Sequence, residues 1–147
     1  MNAPAGAGTK PIRLLLVDDQ QAVRRGLRMR FALEPDLEVI GEAGDATEAI
    51  SLAQTLGPDV VLMDVDMSGI DGILAIAMLR QVAPHSTVVI FTLYDDAAMR
   101  ARVREAGAAA FVAKHQTEEA LLVAIRRAAV EQEKEEHGDA MHDDQDR

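Results

Sequence analysis

The sequence predicts an α/β fold: a doubly wound (βα)5 domain whose sheet has five parallel strands. Three observations predict it. Short apolar runs rich in Val, Ile and Leu recur five times, several without alternation, as in strands buried on both faces. Each run is followed by a stretch whose apolar residues return at helical spacing. Turn and capping residues stand between these segments.

The elements follow in chain order. Residues 1–10 have no apolar periodicity and read as a flexible lead-in. Ile12–Val17 is the first strand, and Val23, Leu27 and Phe31 then mark one face of a helix. Leu37–Ile40 is the second strand, followed by a helix with Ala46, Ala49, Ile50 and Ala53 on its inner face. Gly57-Pro58 punctuates the chain before the third strand, Val60–Met63, and Ile73, Ile76, Ala77 and Leu79 mark the next helix. Ala83-Pro84 precedes the fourth strand, Val88–Phe91. Asp95–Ala106 reads as a loosely packed helix, because Met99 and Val103 are its only larger apolar residues. Gly107 precedes the fifth strand, Ala109–Val112. Thr117 looks like an N-cap, with Glu118 and Glu119 in the first turn of a helix carrying Leu121, Leu122, Ile125 and Ala129. Residues 131–147 hold eight acidic and two basic residues and no large aliphatic side chain but Met141, so a mostly disordered tail is expected. His137 and His142 in this tail read as solvated residues rather than metal ligands.

The remaining 11–130 form one domain, and a chain of 147 residues can bury roughly 68–70% of its unfolded surface without a disulfide or metal. The absence of cysteine excludes a disulfide framework and a thiolate metal site. No apolar run approaches the ~18 residues of a membrane span, and the N-terminus lacks the order of a signal peptide. A soluble, cytoplasmic protein with no membrane partner is expected. The net charge of −10 repels a phosphate backbone, so no direct DNA binding is expected.

In open α/β sheets, ligands sit at the carboxyl ends of the strands. The first strand here ends in Asp18-Asp19, the third in Asp64, the fourth in Thr92, and the fifth just before Lys114. Singly, such an Asp is more often a turn former or cap, such a Thr structural, and such a Lys solvated. Jointly they place three carboxylates, a hydroxyl and an ammonium on one edge. Crowded carboxylates favour a divalent cation, and an all-oxygen site with few protein ligands suits Mg²⁺, or Mn²⁺ in its place. The lysine and hydroxyl complete a cradle for a tetrahedral anion. That is a site for phosphoryl transfer to a carboxylate, with Asp64 as nucleophile and Lys114 and Thr92 on the phosphoryl oxygens.

The set resembles a known family, the receiver domains of bacterial response regulators in two-component signalling. The resemblance rests on Val17-Asp18-Asp19, Leu62-Met63-Asp64-Val65-Asp66-Met67, Phe91-Thr92, Phe111-Val112-Ala113-Lys114, and the glycines Gly69 and Gly72. The run from Phe91 to Lys114 is most like the branch whose members usually carry a C-terminal helix-turn-helix. The resemblance implies a flavodoxin-like sheet with strand order 2-1-3-4-5. It implies that Asp64 is the phosphoacceptor, that Asp18, Asp19, Asp64 and the backbone carbonyl of Asp66 hold Mg²⁺, and that Thr92 and Phe111 form a switch. It implies a histidine kinase or phosphotransfer protein as donor, a downstream protein target, and a monomer or phosphorylation-dependent homodimer. Arg24 and Arg28 share the helix face that receivers often present to the kinase, and they read equally as a basic face paired with nearby acids.

Three residues depart from the family pattern. Ser68 and His115 stand where proline is common, which loosens one loop and removes the expectation of a cis peptide. Leu93 is bulky where many receivers are small, so it is expected to narrow access to Asp64. Asp66, Leu93 and Tyr94 occupy positions that tune reaction rate. Acidic sequence follows the domain where an output domain would start, so a single-domain receiver acting by protein contacts is expected, with a fragment of a longer regulator as the equal alternative. Two other readings compete. A receiver fold working without phosphorylation is favoured only by Leu93. A haloacid dehalogenase-type phosphatase would share Asp64-Val65-Asp66, but its nucleophile lies on the first strand and its acidic metal pair follows the lysine. Here Asp18-Asp19 comes first, so an enzyme is not expected.

Overall fold

A computed structural model describes the backbone of residues 10–67 and 71–145, and side chains as far as Gln132. The expectations for residues 1–9, Ser68 and Gly69, and for the side chains of His137 and His142, lie outside the described residues. Five strands, β1 (Ile12–Val17), β2 (Leu37–Ala43), β3 (Val60–Met63), β4 (Thr87–Thr92) and β5 (Ala110–Ala113), alternate with five helices. The helices are α1 (Gln21–Phe31), α2 (Ala46–Leu56), α3 (Gly72–Val82), α4 (Ala97–Ala106) and α5 (Glu118–Gln145). All pairings are parallel, and the strand order is β2-β1-β3-β4-β5. This is the predicted flavodoxin-like arrangement.

The unalternating strands are explained by two cores. Leu15, Val17, Val61, Met63, Val88 and Ile90 point to one face, against Ala46, Ala49 and Ala53 of α2, Ala75, Ile76 and Leu79 of α3, and Val103 of α4. Leu14, Leu16, Val60, Leu62, Val89 and Val112 point to the other, against Phe31 of α1 and Leu121, Leu122, Ile125 and Ala128 of α5. Neighbouring strand residues therefore serve opposite cores, and each needs an apolar side chain.

Caps fix where helices start. Asp45, Asp71 and Asp96 each accept a backbone N–H from the first turn of the following helix, and Thr117 accepts from Ala120 N at 3.1 Å. Gly57 (φ 58°) and Gly107 (φ 115°) end α2 and α4 in the left-handed region, where a side chain would be strained. Helix α4 buries only Val103, in line with its expected loose packing.

Two boundaries differ from the sequence expectation by three residues or more. Strand β2 continues beyond Ile40 through Gly41, Glu42 and Ala43. Its register against β1 slips between Leu14 and Leu15, an irregularity that apolar patterning does not reveal. Helix α5 runs on to Gln145, past the boundary drawn at residue 130. Residues 131–136 are Glu, Gln and Lys only, which are strong helix formers even without an apolar face.

Candidate functional site

Because β1, β3, β4 and β5 are adjacent and parallel, their carboxyl ends form one rim, and β1 and β3 flank the point where the strand order reverses. Asp18 follows β1 and Asp64 follows β3, and the backbone holds them alike. Asp18 N donates to Ala43 O and Asp64 N donates to Val17 O, both at 3.1 Å, extending the sheet by one bond on each strand. One carboxylate oxygen then accepts a backbone N–H two residues on. Gln20 N reaches Asp18 Oδ1 and Asp66 N reaches Asp64 Oδ1, both at 2.9 Å. The other oxygen of each is left to face across the rim.

Lys114 occupies that space. Its Nζ donates to Oδ2 of Asp18 and Oδ2 of Asp64, both at 2.8 Å. Its backbone N donates to Thr92 O at 2.7 Å, and Gln116 Oε1 accepts from Ala113 N at 2.7 Å, which fixes the turn from β5 into α5. Asp18 is 3% and Asp64 6% exposed, so the two anions and one cation sit in a pocket largely closed to water. Burial alone would lower the Lys114 pKa, but the hydrogen bonds to Asp18 and Asp64 outweigh it and hold the ammonium above its ordinary value. The cluster carries a net charge of −1, which favours recruiting a further cation.

The remaining predicted residues fall around this pair. Asp19 is exposed at the rim beside Asp18. Among the described residues no three acidic or histidine side chains converge into a ready metal cage. The donor set, two converging carboxylates with a third at the mouth, fits Mg²⁺, which keeps several waters and takes few protein ligands. Thr92 is fully buried at the end of β4, and its Oγ1 accepts only a long 3.4 Å bond from Tyr94 N. Asp66 and Tyr94 lie at the surface, within two residues of Asp64 and Thr92 respectively. Leu93 is 68% exposed in the loop after β4. Phe111 is half-buried on β5. It pairs with Ile90 while Thr92 pairs with Ala113, so Phe111 and Thr92 lie on one face of adjacent strands, two residues out of step. No cis peptide occurs among the described residues, the Lys114–His115 bond included.

Arg24 and Arg28 are engaged within the chain. Arg24 Nε and Arg28 Nε donate to the two oxygens of Glu42 at 3.0 and 2.7 Å, and Arg24 also donates to the backbone carbonyl of Asp18. The sequence reading quoted Gly72 without the close approach that requires it, and it missed the link from Arg24 to Asp18. Gly72 opens α3 so close to the loop after Asp64 that a Cβ would lie 2.4 Å from Val65 O. The anchoring of Asp18 by Arg24 also depends on the slipped end of β2, which brings Glu42 into reach.

The response regulator receiver domain model matches residues 14–126. The transcriptional regulatory protein LiaR of Bacillus subtilis (strain 168) is 40% identical over 118 residues, 80% of this chain and 56% of that protein. The nitrate/nitrite response regulator protein NarP of Escherichia coli (strain K12) is 37% identical over 119 residues, 81% of this chain and 55% of that protein. The chain thus spans about half the length of the curated relatives it matches. Among solved structures, the signal receiver domain of NarL from Mycobacterium tuberculosis superposes with a TM-score of 0.77 at 30% identity, covering 82% of this chain and 97% of that one. A LuxR-family two-component response regulator from Aurantimonas sp. SI85-9A1 gives 0.78 at 35% identity, covering 82% and 86%. No described helix is long and apolar enough to cross a membrane. Its strand order, its rim of Asp18, Asp64, Thr92 and Lys114, and these likenesses agree: the chain belongs to the family of response regulator receiver domains.

Proposed function

We propose that this receiver accepts a phosphoryl group on Asp64 from a phosphohistidine of a histidine kinase or phosphotransfer protein, and that the event switches a protein-contact surface. The observation that carries the reading is the bridge of Lys114 Nζ to Asp18 and Asp64 at 2.8 Å each. A lysine so placed sits where an incoming phosphoryl oxygen needs a positive partner. In the transfer, Asp64 Oδ2 attacks phosphorus, a P–O bond forms, the P–N bond breaks with its electron pair going to nitrogen, and the imidazole, already protonated on its other ring nitrogen, leaves neutral. Lys114 swings from Asp64 Oδ2 to a phosphoryl oxygen. Thr92, whose hydroxyl holds only a weak bond, turns to donate to another. Asp18, Asp19 and the carbonyl of Asp66 would hold Mg²⁺ with Asp64, and the ion supplies neutralisation of charge developing on the phosphoryl oxygens.

Turning Thr92 empties space on the face it shares with Phe111, and inward movement of that ring would alter the surface around α4 and β5. Several relatives are named as transcriptional regulatory proteins, so control of a transcriptional output is the reading their names support. The net charge of −10 argues that this chain does so through protein contacts rather than by touching DNA. Self-hydrolysis of the acyl phosphate would return the resting state. The phosphatase reading is disfavoured, because the nucleophile follows the central strand and the acidic pair precedes it in the chain.

The test uses phosphoramidate, a small donor with the P–N bond of phosphohistidine. After reaction with Mg²⁺ present, hydroxylamine should cleave the linkage and leave a hydroxamate on the peptide containing Asp64. A modification stable to hydroxylamine, or one on another residue, would overturn the proposal.

A further inference from the structure

Beside the rim, one acidic side chain ties together three segments. Asp95 lies in the loop between β4 and α4. Its Oδ1 accepts both Nε of Arg100, at 2.7 Å, and Nη2 of the same guanidinium. Its Oδ2 lies 3.2 Å from Nε2 of His115, the residue after Lys114. Arg100, fixed at two nitrogens, lies over the Phe111 ring, 5.1 Å from its centroid. The Asp95 carboxyl is held below its usual range, by Arg100 first and His115 second.

Phe111 lines two concavities, one between β5 and α5, the other between β5 and α4 with Arg100 and Arg104 at its edge. Its ring packs in part against the core beneath α4, the guanidinium is its charged contact, and the guanidinium is held by Asp95. Helix α4, which carries Arg100, buries only Val103, the mark of a low-stability element. A cation fixed over an aromatic face in a low-stability element can be displaced by small forces.

We propose that Asp95 and Arg100 form a latch that holds Phe111 outward and so restrains phosphorylation of Asp64. The inference rests on the switch reading above and adds to it a positioning residue, Arg100, which acts through Phe111 and touches no reacting atom. Opening the latch frees the ring to move inward, and an inward ring requires Thr92 to have turned toward Asp64. By linkage, whatever favours the inward ring favours the phosphorylated state.

The experiment compares initial rates of modification by acetyl phosphate and Mg²⁺ in the wild type, Arg100→Ala, Asp95→Asn and the double variant. Each single variant should react at least about threefold faster than wild type, and the double variant no faster than the faster single, because both residues serve one device. In a Phe111→Leu background Arg100→Ala should change nothing. A merely structural role would lower rates rather than raise them. Fluorine NMR of fluorophenylalanine-labelled, unmodified protein supplies the second readout. The Phe111 resonance should move in Arg100→Ala in the direction it moves when wild type is phosphorylated. Wild-type modification with variant rates unchanged, lowered, or additive in the double variant would overturn the latch alone. No modification of any form would overturn the phosphoacceptor reading and the latch with it.

Discussion

Lys114→Met separates the lysine's part in the fold from the phosphoryl-binding part proposed for it. Both Oδ2 atoms lie 2.8 Å from one nitrogen, so the two carboxylates stand within about twice that distance of each other. With the ammonium gone they repel. At about 5 Å and an effective dielectric constant near 20, the Coulomb term is about 3 kcal/mol. Breaking a buried pair by removing one partner costs about 3–5 kcal/mol in general, and water at the rim reduces it here. We expect a loss of about 2–3 kcal/mol with EDTA present at pH 7, a fall of roughly 1–2 M in the urea midpoint at a typical slope. Methionine keeps the stem volume, so packing changes little. Mg²⁺ replaces the missing charge, so it should raise the midpoint of the variant more than that of wild type, where Lys114 competes for the same oxygens. A variant as stable as wild type in EDTA, or one no more responsive to Mg²⁺, would refute the electrostatic account of this rim.

Other outcomes follow from the same geometry. Gly72→Ala should destabilise by about 1–3 kcal/mol in urea melts despite better helix propensity, since the new methyl meets the Val65 backbone, which cannot rotate away. Arg126 donates to both oxygens of Asp36 and to Glu34, tying α5 to the turn before β2. Hydrogen bonds from Arg30 and Arg126 hold Glu34 below its ordinary range, and Arg126 does the same for Asp36. Their stabilisation is therefore complete above the unfolded carboxylate pKa values and fades as pH falls through the folded ones. Arg126→Met should cost stability at pH 7 and progressively less below pH of about 4, read from paired urea melts. Lys114 has a raised folded pKa, so its contribution is present below pH of about 10.4 and is lost as pH rises through the folded value. Wild type should thus lose stability in strong alkali more steeply than Lys114→Met.

Much of this was legible in the sequence because it depends on local chemistry. Strands β1 and β3 match their apolar runs residue for residue, and capping by Thr117 was visible in one Thr-Glu-Glu step. Four polar residues at strand ends located the rim, since a parallel sheet aligns those ends whatever the details. What escaped were features set by pairs distant in sequence. The register slip that lengthens β2 depends on β1, and the Glu42 partners of Arg24 and Arg28 depend on that slip. The helical backbone beyond residue 130 follows helix propensity. Arg100 over Phe111 joins a helix to a strand across a loop and leaves no periodic trace.

The most direct test of the central claim is an intact mass after incubation with acetyl phosphate and Mg²⁺, with Asp64→Asn and a Mg²⁺-free sample in parallel. The account predicts one added phosphoryl group on wild type and none in either control. A folded wild-type chain that gains no mass, or an Asp64→Asn chain that gains as much, would contradict it.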